Sequence, residues 1–379
     1  MTATYVPLTP SVLEWAMDQS GVDPAELAER ADVEFDTVLE WLAGEAEPTK
    51  TQFRKITQVF KRPATFFMLP QPPEEVAVPA AFRSPAGRAS HEATRSELEA
   101  IARARRVQQV ARWTAERIVD SRWADDPIPA ASNGATPGEA AQVAAEWLDW
   151  SVADQRAASS PSAVVRLLRA ALEERGVVTL QLPVGEDGCR GFSLYDAFKP
   201  LVAVNTAYNA QARLFTYLHE VGHLMRRTDA ICVGYADTTA ERWCEKFAAS
   251  FLLPREPFQA RLDERFGAGV FIRDLDSVRL LAKDFNVSLA ATAIRLEDLG
   301  MGRDLFAQIP RTADQKTRGG SGNTDTTRGA ARTRELGRGF ISLLLAGERA
   351  GALGRQDVLR YLDVSEGQLR NTGIGPLES

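Results

Sequence analysis

The chain has 379 residues, 44% hydrophobic and 25% charged, with a formal net charge of −6. That length predicts two or three domains with real cores, and the acidic balance excludes a general pull toward nucleic acid or an anionic membrane. Cys189, Cys232 and Cys244 are odd in number and widely spaced, which excludes a disulfide framework or a CxxC metal knuckle and points to a reducing cytoplasm.

The N-terminus has no basic or apolar targeting region, and no run of about 18 apolar residues predicts a transmembrane helix. Residues 1–70 contain PSVLEWAMDQSG, DPAELAERADV, EFDTVLEWLAGE, PTKTQFRKITQVF and RPATFFMLP, each with apolar residues at helical spacing. Ser11 can cap the first helix and Gly21 end it; Asp23-Pro24 and Pro48-Thr49 start the second and fourth. This order is that of a helix-turn-helix bundle. Reading DNA requires Lys and Arg for phosphates, and Arg, Asn or Gln for bases. Residues 23–47 instead hold Asp23, Glu26, Glu29, Asp32, Glu34, Asp36, Glu40, Glu45 and Glu47 against Arg30 alone. Lys50, Arg54, Lys55, Lys61 and Arg62 lie beyond the expected reading helix. The sequence therefore disfavours DNA binding and predicts a protein-docking or dimerising module, with a homodimer as one outcome.

Residues 71–88 form a proline-rich linker. Residues 89–160 form a helical connecting region, with one long helix over 89–120, a loop over 124–139 and a helix over 140–150; another helix covers 162–176. After Gly176 the pattern changes to short β-rich runs, predicting strands over 177–183, 191–196 and 201–206. Helices follow at 210–226, at 238–252 and through 255–300. Residues 312–334 read as a flexible low-complexity linker and 335–379 as a small helical C-terminal region. The fold class is mainly α with a small β-sheet (α+β).

The stretch LFTYLHEVGHLMRR, residues 214–227, carries two of the three histidines of the chain. At i and i+4, His219 and His223 share a helix face, with Cβ atoms roughly 5–6 Å apart. A catalytic zinc takes three protein ligands, and Glu220 is placed to move protons as general base. The remaining histidine, His91, is far upstream, followed by Glu-Ala-Thr-Arg, and reads as a surface residue. The third ligand is therefore expected on the next helix, within AERWCEKFAASFLLP. Glu241 is the preferred ligand, and Glu245 one turn later is a hydrogen-bonding partner for a ligand histidine. Cys244 is a chemically competent alternative, and Asp229 and Asp237 are weaker ones.

RGFSLYD, PLVAVN, RLFTYLHEVGHLM and ERWCEKFAASFLLP together resemble the ImmA/IrrE family of zinc metallopeptidases over about residues 160–300. The resemblance implies a gluzincin-like metallopeptidase domain at 161–300, with Zn²⁺ (or Mn²⁺) on His219, His223 and Glu241 and with Glu220 as base. One departure is Glu245, where the family usually has asparagine. The resemblance also implies that the strand at 201–206 lines the cleft, where a protein substrate could add as a strand. Arg190, Tyr208, Tyr217 and Tyr235 are candidate substrate contacts. EWLAGEAEPTKTQFRKITQVFKRPATFFMLPQPP is similar to the XRE-type helix-turn-helix found ahead of such peptidases. By this resemblance the substrate is a protein, a helix-turn-helix repressor or other regulator cleaved in stress response or in mobile-element or toxin–antitoxin control. No membrane partner is expected. The alternative is a regulator or antitoxin whose peptidase-like domain senses a ligand or metal with little catalysis. An intact HExxH with Glu241 favours the enzyme.

Overall fold

The computed structural model describes residues 5–20, 22–60, 64–72, 81–82, 94–118, 127–186, 188–227, 238–310 and 328–370. The chain divides into two compact units, Met1–Ala77 with Ala93–Arg103, and Val78–Glu92 with Ala104–Ser379. His91, Asp229, Cys232, Tyr235 and Asp237 lie outside the described residues.

The first unit contains helices α1 (Pro10–Ser20), α2 (Pro24–Ala31), α3 (Phe35–Ala43) and α4 (Lys50–Phe60), then a 3₁₀ turn, Ala64–Met68. The Asp23 carboxylate accepts from the Glu26 amide at 2.8 Å, and Pro24 opens α2 with its φ already set. Gly44, at φ 73°, ends α3 in the left-handed conformation. Leu13, Leu27, Val38, Trp41, Ile56 and Phe67 meet in one core. The outer face of α3 leaves Phe35, Asp36, Leu39 and Glu40 exposed. Two of the cations in this unit are held by acids: Arg30 meets Glu26 and Lys55 meets Asp32, each at 3.0 Å.

Helix α5 (Arg95–Ala115) supplies its first turns to this unit and the remainder to the second. The second unit continues with strand β1 (Ala81–Phe82), α6 (Pro137–Trp147), α7 (Val152–Ala157), α8 (Pro161–Glu174), β2 (Val178–Leu182), β3 (Gly191–Leu194) and β4 (Leu201–Asn205). Helices α9 (Ala210–Arg226), α10 (Thr238–Leu252), α11 (Arg255–Phe266), α12 (Leu275–Asp284) and α13 (Leu289–Asp298) follow. The C-terminal part holds α14 (Arg328–Leu336), α15 (Arg338–Arg349), α16 (Arg355–Leu362) and α17 (Glu366–Arg370). The molecule is mainly helical with one small sheet, as the sequence predicts.

The sheet runs β1-β3-β4-β2. β2 pairs with β4 in parallel, whereas β3 pairs antiparallel with β4 and with β1. Every residue of β3 and β4 is buried, which explains their nearly unbroken apolar sequence. Three expectations need correction. β4, the strand expected to receive a substrate at 201–206, has β3 on one side and β2 on the other. Both of its edges are spent, so no further strand can pair there. Secondly, the proline-rich segment contributes a two-residue edge strand to the sheet. Thirdly, residues 328–334, read as flexible, belong to α14. The buried Arg169 guanidinium donates to the Arg334 carbonyl at 2.7 Å and ties that helix beside β2. Helix α7 is absent from the sequence reading. Its Gln155 is fully buried and donates to the carbonyls of Leu252 and Phe285 at 3.0 and 2.8 Å, tying the ends of α10 and α12 together.

Candidate metal centre

Helix α9 is buried along nearly its whole circumference, because the sheet, α8 and α10 all pack on it. Asn209 starts it by accepting from the Ala212 amide at 2.9 Å. Two faces of α9 matter here. Thr216 and Glu220, one turn apart, face β3. His219 and His223, also one turn apart, face α10.

The β3 side is brought close by Gly191. A Cβ at that position would run into the Thr216 methyl and lie 2.8 Å from the Ala203 carbonyl oxygen. The α10 side is brought close by Gly222, where a Cβ would sit 3.1 Å from the Phe247 ring and 3.3 Å from Cys244 Sγ. The far ends of the two helices are also linked. The Arg226 guanidinium lies 5.0 Å from the Trp243 ring centre, and Trp243 stacks on Phe247 and donates to the Ala135 carbonyl at 3.1 Å.

This packing brings three ligand side chains together. His219 Nε2 lies 3.1 Å from His223 Nε2 and 3.1 Å from Glu241 Oε2, and His223 Nε2 lies 3.3 Å from Glu241 Oε1. A tetrahedral zinc with bonds of about 2.0–2.1 Å has ligand–ligand edges of about 3.3–3.4 Å. The observed separations, with each imidazole nearest a different oxygen of the Glu241 carboxylate, are within a few tenths of an ångström of that spacing, so the residues present fit the ion. His219, His223 and Glu241 form a potential metal-binding group among the described residues. Cys244 and Glu245 share the helix with Glu241 and do not join the group.

Electrostatics agree with the geometry. Burial works to raise the Glu241 carboxyl, but hydrogen bonds from His219 and His223 outweigh it and hold the group well below the ordinary carboxylate range. Burial disfavours charge on His223, yet contacts with Cys244 and Glu241 outweigh that and pull it up to about 11. Burial pushes the Cys244 thiol up. Metal ligands bind deprotonated, so a cation there competes with protons for the same atoms.

Glu220 is fully buried, and its Oε2 accepts from Ser193 Oγ at 3.0 Å. The sequence reading missed Ser193. The signal was the alternation of β3, in which Gly191 and Ser193 share the face toward α9. The other candidates shape the structure around the centre. Tyr217 is buried and its hydroxyl donates to the Leu180 carbonyl at 3.3 Å. The Tyr208 hydroxyl donates to the Glu186 and Gly188 carbonyls at 3.3 and 3.4 Å, with the Arg190 guanidinium 5.1 Å from its ring centre. Asn205 donates to the Gly185 and Cys189 carbonyls at 2.6 and 3.0 Å, fixing the loop that leads into β3.

Residues 172–297 match the family model of the IrrE N-terminal-like domain, Peptidase_M78. The matched segment contains the sheet strands β2–β4 and both helices of the metal group. The match supports a metallopeptidase in this part of the chain. No curated protein and no solved structure gives a significant match. Among the described residues no helix is long and apolar enough to cross a membrane.

Proposed function

We propose that the second unit is a zinc-dependent endopeptidase of limited specificity. Its proposed substrate is a transcriptional repressor or other regulatory protein in stress response or in mobile-element or toxin–antitoxin control. One observation carries the reading: a three-ligand triangle with a buried carboxylate, Glu220, beside it on the same helix. A structural zinc is closed by four protein ligands, whereas the three found among the described residues leave a position for reacting groups. Two imidazoles with a carboxylate favour zinc over manganese.

Zinc held by His219, His223 and Glu241 supplies Lewis acidity to the scissile carbonyl and the attacking water. The chain supplies proton transfer. The Glu220 carboxylate takes a proton from the attacking water onto one of its oxygens, then passes it to the amide nitrogen as the C–N bond breaks. Strand β3 passes Glu220, with its Ser193 hydroxyl on the Glu220 carboxylate. The first unit is proposed as an XRE-like helix-turn-helix module used for protein docking. Its support is the exposed Phe35, Asp36, Leu39 and Glu40 on α3, an apolar and acidic face unsuited to a phosphate backbone.

The test is Glu220→Gln. It keeps about one equivalent of zinc and loses cleavage by about 10²–10⁴-fold. New protein termini appear in cells carrying the parent chain and are missing with the variant. Identical termini in both contradict the proposal.

A further inference from the structure

We propose that Ser193 is the positioning residue for the Glu220 carboxylate. The inference rests on the metallopeptidase reading, in which Glu220 moves the proton. Both residues are buried, and Ser193 Oγ donates to Glu220 Oε2 at 3.0 Å. A glutamate side chain has three rotatable bonds, and a hydrogen bond from a hydroxyl held on a paired strand limits where its carboxyl plane can turn. Ser193 is well suited to set the plane of that carboxylate because its own backbone has little freedom. It is the strand residue opposite Val202 on β4 and Ala81 on β1. Beyond it, the buried Gln108 amide donates to the Leu194 and Lys199 carbonyls at 3.1 and 2.8 Å, pinning the end of β3.

The register of two elements produces the contact. Gly191 and Ser193 are two apart on a strand, and Thr216 and Glu220 are four apart on a helix, so each pair presents one face. The missing side chain at Gly191 lets β3 approach Thr216, and that approach puts the Ser193 hydroxyl within reach of Glu220.

The experiment uses the full chain loaded with cobalt(II), whose visible spectrum reports the ligand sphere, and titrates acetohydroxamate. This probe chelates the metal and leaves its hydroxyl proton to a neighbouring carboxylate, so its affinity reads the placement of Glu220 without turnover. Ser193→Ala is expected to bind one cobalt but hold the probe about tenfold more weakly, the usual effect of removing a hydrogen bond to a charged group. Ser193→Thr restores the hydroxyl and most of the affinity. In a Glu220→Ala background, Ser193→Ala has no further effect. An unchanged affinity in Ser193→Ala overturns the proposal. So does an equal loss with and without Glu220, which marks a purely structural role. A parent chain that binds cobalt but not the probe overturns it too, because Glu220 is then not presented to the ligand position. A parent chain that takes up no cobalt refutes the metal reading itself.

Discussion

Gly191→Ala tests whether close approach of strand to helix builds the centre. The new Cβ would meet the Thr216 methyl and stand 2.8 Å from the Ala203 carbonyl oxygen. Thr216 is buried and the carbonyl belongs to a paired strand, so neither can retreat cheaply. Overpacking of this kind costs about 1–3 kcal/mol. Alanine recovers about 0.5–1 kcal/mol of backbone entropy relative to glycine in a strand. The net loss is about 1–2 kcal/mol, or roughly 2–3 °C in the Tm of a unit this large. Thermal unfolding followed by circular dichroism measures it, with the two units fitted as separate transitions. Adding Thr216→Ser removes the offending methyl and recovers at least half of the loss. A Tm unchanged or raised in Gly191→Ala refutes the argument, because the interval between β3 and α9 would then have room to spare.

Asp284 receives Arg261 Nε at 2.8 Å and Arg265 Nε at 2.9 Å. Burial works to raise its carboxyl, but the two guanidinium groups outweigh it and hold it below the ordinary carboxylate range. A depressed folded-state pKa means stability present above the unfolded value, near 4, and lost as pH falls through the folded one. Asp284→Asn is therefore less stable by about 1 kcal/mol at pH 7, and urea midpoints of parent and variant converge as pH drops below about 4. A gap that stays constant with pH contradicts the assignment. For the first unit, retention on double-stranded DNA is expected to be negligible above about 0.1 M salt, because few phosphates are contacted. Binding that falls steeply and log-linearly with salt would reinstate a DNA reader.

The centre was legible because its rules are local. His219, Glu220 and His223 lie within one helical turn or so, where spacing alone fixes the face. Glu241 lies on the next helix, at the first acidic turn after the return. What depended on pairing between distant segments was not legible. Ser193 reaches Glu220 only through the β3–α9 register, and nothing in GFSLYD states that register. The interior position of β4 follows from a parallel pairing with β2 across the intervening β3. Residues 328–334 looked like flexible chain because their helix is anchored by Arg169, more than 150 residues earlier. Val152–Ala157 is only six residues long and owes its place to Gln155 reaching two distant carbonyls.

The central claim is that two histidines and one glutamate hold a catalytic metal. Metal content of the purified full chain tests it directly, with the parent beside Glu241→Ala and Glu245→Ala. The account predicts about one zinc per chain in the parent, lost in Glu241→Ala and kept in Glu245→Ala, because Glu241 closes the 3.1–3.3 Å triangle and Glu245 stands outside it. A parent chain that takes up no metal when zinc is supplied, or a Glu241→Ala variant that retains it fully, contradicts the account.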